Sequence, residues 1–106
     1  MTYKQLTESS PAILVEFYAS WCPHCQKMMP IVAEVARKLA GTAEVRQLDI
    51  DENDEASQEA GADTIPTFIL YVDGREVWRQ SGEMQEADLL GKVLSLVPKG
   101  ADDAKN

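Results

Sequence analysis

The chain has 106 residues, with 10 Lys and Arg against 18 Asp and Glu, and a formal charge of −8 at neutral pH. A length of this order makes a single domain, 1–106, that buries roughly two-thirds of the surface its unfolded chain exposes, so neither a metal nor a disulfide is needed merely to fold. The acid excess repels phosphate backbones and anionic lipid surfaces, which excludes nucleic acid and membranes as partners and leaves solubility as its plain use.

The opening segment "MTYKQLTESSPA" lacks the basic, apolar, small-residue layout of a secretion signal and reads as a short helix. The expected location is therefore cytoplasmic, or periplasmic or otherwise extracytoplasmic if a signal segment has been removed. "AILVEFYA", Ala12 to Ala19, is nearly continuous in β-branched and aromatic residues and predicts a central strand covered on both faces. After Cys25, Met28, Val32, Val35 and Leu39 recur at helical spacing, predicting a helix that ends at Gly41 and is kinked by Pro30. "AEVRQLDID", Ala43 to Asp51, gives a second strand, and "NDEASQEA" a helix ended by Gly61. "PTFILYV" is a further buried strand, and Asp73-Gly74 turns it into an antiparallel "REVWRQS". Leu89, Leu90, Val93, Leu94 and Val97 mark a last helix stopped by Pro98, and the tail 99–106 is expected to fray. No apolar run approaches the ~20 residues that span a bilayer. The order predicts an α/β fold with helices on both faces of a mixed sheet.

The chemistry concentrates in "SWCPHCQKMMP", Ser20 to Pro30, which holds both cysteines and the only histidine. Cys22 lies where a strand hands over to a helix, and the unpaired N–H groups and positive dipole end of the first helical turn favour a thiolate. Cys25 faces the same side one turn along. Cys22 is thus the expected nucleophile and Cys25 the resolving thiol that attacks the mixed disulfide. A structural zinc site needs four ligands and the chain offers two Cys and one His, so only a zinc shared across a dimer would complete it. A Cys-x-x-Cys pair at a strand-to-helix junction points to redox chemistry.

"VEFYASWCPHCQKMMP" closely resembles the active-site segment of thioredoxins, where strand, Trp, Cys-x-x-Cys and helix-kinking Pro occur in that order, and "TIPTFILYVDG" resembles their cis-proline segment. The resemblance implies a thioredoxin fold and a thiol–disulfide oxidoreductase with no bound cofactor, acting in electron transport and cell redox homeostasis. It implies protein substrates bearing disulfides or thiols, a redox partner such as a thioredoxin-reductase-like enzyme or glutathione, and a monomer. By the same resemblance Pro66 is cis, the backbone of Ile65 pairs with an extended substrate segment, and Trp21, Ile65, Pro66 and Gly82 form the substrate-binding rim. A rival reading is a protein- or peptide-binding module without redox turnover. Net oxidase or isomerase action stays open beside reductase action.

Four features depart from the family. Pro23-His24 stands where thioredoxins usually carry Gly-Pro and matches bacterial disulfide oxidases, whose nucleophile pKa is about 3.5 against about 7 in thioredoxin, and whose potential is about −120 against about −270 mV. A His24 ring beside the Cys22 sulfur predicts a more oxidising protein than a typical thioredoxin. Glu16 replaces the buried aspartate behind the second cysteine and is expected to accept the Cys25 proton, with Gln47 where a lysine is usual. Ser81 and Glu83 make the rim around Gly82 acidic. Finally, the chain supplies no strand before the first helix, so a four-stranded sheet is expected with the Ala43–Asp51 strand as an uncovered edge.

Overall fold

The computed structural model describes residues 1–98 of the chain; the tail 99–106 expected to fray lies outside the described residues. The elements run α1 (Tyr3–Thr7), β1 (Ala12–Tyr18), α2 (Pro23–Lys38), β2 (Glu44–Asp49), α3 (Asp54–Ala60), β3 (Thr67–Val72), β4 (Arg75–Ser81) and α4 (Glu86–Leu96). Among the described residues the sheet has four strands in the order β2-β1-β3-β4, with β1 parallel to β2 and antiparallel to β3, and β3 antiparallel to β4. The expected α/β architecture is therefore present, and β2 is one edge strand, as expected, with β4 the other.

Strand periodicity divides the core in two. Successive side chains of β1 point to opposite faces, so Ile13, Val15 and Phe17 pack with Tyr3, Leu6 and Ala60 on the α1/α3 side. Ala12 and Leu14 meet Met28, Val32, Val35, Leu39, Leu89 and Val93 of α2 and α4 on the other. Every residue of β1 from Ala12 to Phe17 is buried, which explains its unbroken apolar run. Glu16 is the exception in chemistry but not in position. Its parity aims it at the α2 face.

The short α1 is held by a capping box, in which Thr2 Oγ1 accepts from the Gln5 N–H at 3.1 Å and Gln5 Oε1 from the Thr2 N–H at 2.8 Å. Two element ends differ from the sequence reading. Helix α2 stops at Lys38, because the Leu39 carbonyl is taken by the N–H groups of Thr42 and Ala43, and Gly41 (φ +86°) sits in the turn beyond. Strand β2 stops at Asp49, whose side chain accepts the Asp51 N–H at 2.9 Å and turns the chain. Pro30 lies inside α2, and the helix runs through it unbroken. Asp73 and Gly74 both adopt positive φ, the two-residue turn expected between β3 and β4.

Arg79 of β4 ties the sheet to α3. Its guanidinium donates to the carbonyls of Ala60 at 2.7 Å and Gly61 at 3.3 Å, which close the end of that helix, while Glu76 holds the other edge of the fork. Replacing Arg79 by Ala is expected to lower the free energy of unfolding by about 1 kcal/mol, and by less at high salt because the group is part-exposed. A urea titration that finds no change at low salt would contradict this role.

Candidate active site

After β1 the chain turns at Ser20-Trp21, and Cys22 becomes the residue that opens α2. Pro23 takes the first helical position, where its fixed φ suits the helix and its missing N–H costs nothing. Cys25 is then the third helical residue. The Gln26 N–H closes the first turn on the Cys22 carbonyl at 3.0 Å, and the Gln26 side chain ties back to the Ser20 carbonyl at 2.9 Å. Both cysteines are free thiols and form a small cluster with Ala19, against which Ile65 packs.

The two thiols differ in access and acidity. Cys22 keeps 6% of its surface exposed and Cys25 1%. The backbone N–H of Cys25, and after it the Cys25 thiol and the N–H of His24, hold the Cys22 pKa below its ordinary value against the opposing effects of burial and of the Glu83 carboxylate. Burial above all pushes the Cys25 thiol up to about 11, with the Cys22 sulfur and the Glu16 charge acting in the same direction.

Glu16 is 2% exposed, on the α2 face of β1, and its charge bears on Cys25. Burial raises its pKa, and one hydrogen bond opposes the rise: Gln47, its register neighbour on β2, donates from Nε2 to Oε1 at 2.9 Å. Gln47 thus supplies a neutral donor to the carboxylate.

The Ile65–Pro66 peptide bond is cis, as the resemblance implies. The Pro66 carbonyl accepts the Gly82 N–H at 2.8 Å, and Thr67 Oγ1 pairs with Ser81 Oγ at 2.7 Å, so this loop and the end of β4 are joined side by side. Gly82 has φ +96° and nothing within 4 Å of where a Cβ would lie, so its backbone is open to an approaching chain. Trp21 is 63% exposed, and its indole N–H donates to Asp51 Oδ2 at 2.9 Å.

The His24 ring has an acidic partner. Its Nδ1 pairs with Glu83 Oε2 at 2.5 Å, across from α2 to the loop after β4, while backbone N–H groups face the Cys22 sulfur. Gln47, which the family pattern places near the Glu16 carboxylate, is found bonded to it. Sequence reasoning missed two partners, Asp51 for Trp21 and Glu83 for His24: Glu83 stands out only as a departure from the family pattern, and Asp51 carries no signal at all.

The family model described as Thioredoxin matches residues 2–95. The chain is 36% identical over 87 residues to the thioredoxin of Rickettsia conorii, covering 82% of this chain and 83% of that one. It is 33% identical over 96 residues to a Mycobacterium leprae protein named bifunctional thioredoxin reductase/thioredoxin, covering 91% of this chain and 21% of that larger one. A solved thioredoxin variant from Halobacterium salinarum superposes with a TM-score of 0.81 at 30% identity, covering 90% of this chain and 82% of that one. Four strands in this order, a Cys pair at the mouth of α2 and a family match over nearly the whole chain agree, and the protein belongs to the thioredoxin family.

Proposed function

We propose that the protein exchanges thiols for disulfides on protein substrates. The observation that carries this reading is the division between two thiols at one helix end, an acidified Cys22 that keeps slight exposure and a sealed Cys25 of raised pKa. The Cys22 thiolate attacks a substrate disulfide; a bond forms between Cys22 and one substrate sulfur, and the other substrate sulfur leaves as a thiol. Glu16 takes the proton of Cys25, whose sulfur then attacks Cys22. The second substrate thiol leaves, and the protein keeps a Cys22–Cys25 disulfide, having given two electrons.

The rim of Trp21, Ile65, Pro66 and Gly82 receives the substrate as an extended segment, with the Ile65 backbone as its pairing edge. A reductase-like enzyme or glutathione returns the electrons, a reading supported by the Mycobacterium leprae relative that joins both names in one chain. Pro23-His24 sets the couple above a Gly-Pro thioredoxin in potential.

Reduction of insulin by dithiothreitol tests the reading. The wild type is expected to accelerate it, Cys22→Ser to fall to the uncatalysed rate, and Cys25→Ser to stop as a trapped mixed disulfide on Cys22. Undiminished turnover by Cys22→Ser would favour a binding module in which the cysteines are incidental.

A further inference from the structure

We propose that Glu83 is a positioning residue for this chemistry: its carboxylate holds the His24 imidazole on the loop after β4 and so withholds it from the Cys22 sulfur. The inference rests on the thiol–disulfide reading and says how far His24 is allowed to influence it.

The geometry makes Glu83 an anchored partner rather than a stray surface acid. On one side of it, the Gly82 N–H is fixed to the Pro66 carbonyl at 2.8 Å. On the other, Met84 is buried and its N–H points at Met28 Sδ of α2 at 3.3 Å. With both neighbours pinned, the carboxylate is presented to the first turn of α2, where it meets His24 Nδ1 at 2.5 Å. Lys27, one turn along α2, also bears on Glu83. The contact uses Nδ1 whether the ring is charged or neutral, since an N–H there donates to the carboxylate in either case.

The electrostatic consequence has a definite sign. An unpaired imidazolium two residues from Cys22 would stabilise the thiolate, and so the reduced form, and raise the potential. Beside a carboxylate the two charges offset, and the field reaching the sulfur is that of a pair rather than of a cation. The carboxylate also opposes the Cys22 thiolate directly. Glu83 therefore damps the oxidising influence of His24.

The test is the equilibrium between protein dithiol plus oxidised glutathione and protein disulfide plus two molecules of reduced glutathione. It is read by alkylating free thiols and weighing the products in wild type, Glu83→Gln, His24→Ala and the double variant. Both side chains are exposed, so neither change threatens the fold. Glu83→Gln is expected to shift the equilibrium toward the dithiol by about threefold or more, equivalent to about 14 mV or more for a two-electron couple. In the His24→Ala background the same substitution should do less than half as much on a logarithmic scale. No shift in the wild-type background, or an equal shift in both, would overturn the proposal; an equal shift would mean that the carboxylate acts on the sulfur without His24. The equilibrium needs no insulin turnover, so loss of the Glu83 effect and loss of the oxidoreductase reading are separate results.

Discussion

Glu16→Gln is expected to slow the release of mixed disulfides by about 100-fold near neutral pH, the low end of what a positioned proton acceptor contributes, while making the folded protein more stable. Both effects come from one buried carboxyl. Cys25 must lose its proton before it can attack, and burial holds that thiol at about 11, so at neutral pH it needs a local acceptor. The charge of Glu16 bears on it, and the pKa of Glu16 is itself raised by burial, which makes its carboxylate a stronger base than an exposed one. Glutamine fills the same space and can still accept from Gln47, but it takes no proton.

The stability effect follows from linkage. Because the folded-state pKa of Glu16 is raised, the native protein binds more protons than the unfolded chain between the two values. Stability is full below the unfolded pKa and is lost as pH rises through the folded one. Glutamine removes that loss, so the variant should gain on wild type above this window and match it more closely at acid pH. Single-turnover release of a chromogenic mixed disulfide from pH 6 to 9, with urea titrations at about pH 4, near the ordinary carboxylate value, and at about pH 9, would measure the two together. Unchanged release rates would remove Glu16 from the chemistry, and an unchanged pH dependence of stability would contradict its raised pKa.

Phe68→Ala should cost about 3–5 kcal/mol of folding free energy, a large share of the ~5–15 kcal/mol that holds a domain of this kind together. Phe68 is fully buried near the start of β3, opposite Glu16 on β1 and Gln80 on β4, in the cluster that joins the sheet to α2 and α4. Truncation leaves a cavity between the sheet and the helices α2 and α4, whose close-packed side chains relax only partially. Phe68→Leu, which nearly conserves volume, should cost less than about 1.5 kcal/mol. Equilibrium urea unfolding distinguishes them, and an Ala variant within 1 kcal/mol of wild type would mean that the site collapses around the loss. A void beside Glu16 would also admit water to the carboxyl and relax its raised pKa, so Phe68→Ala and Glu16→Gln should not be additive.

Most of the framework is legible in the sequence because it rests on local signals. The unbroken apolar run of β1, the helical spacing of Met28, Val32, Val35 and Leu39, and the Asp73-Gly74 turn each specify their element without reference to distant residues. The misplaced ends have the same kind of cause. At Leu39 one carbonyl serves two donors and stops α2 before the glycine, and at Asp49 a side chain turns the chain before the strand pattern runs out. In the site, both cysteines and Glu16 are readable from their positions on single elements. Of their partners, only Gln47 is marked beforehand, and that through the family pattern. Trp21–Asp51, Glu16–Gln47 and His24–Glu83 join residues 30, 31 and 59 apart in sequence, through the register of β1 on β2 and the path of the loop after β4. No local pattern encodes such pairings, and of the three distant partners Glu83 alone bears on the acidity of Cys22, which it opposes.

The first turn of α2 has no side-chain hydrogen bond to cap it, and the sulfur of Cys22 stands at that position facing the N–H groups of Cys25 and His24. If the folded chain favours the thiolate there, a closed thermodynamic cycle requires the thiolate to favour the folded chain equally. With the folded pKa below the unfolded one, this contribution is present above the unfolded pKa and is lost as pH falls through the folded value. Cys25, with its pKa raised, acts in the opposite sense at more alkaline pH. In the disulfide neither sulfur titrates. Each pair of electrons delivered therefore alters how firmly the chain holds its shape, and only the dithiol form carries that pH dependence in its melting.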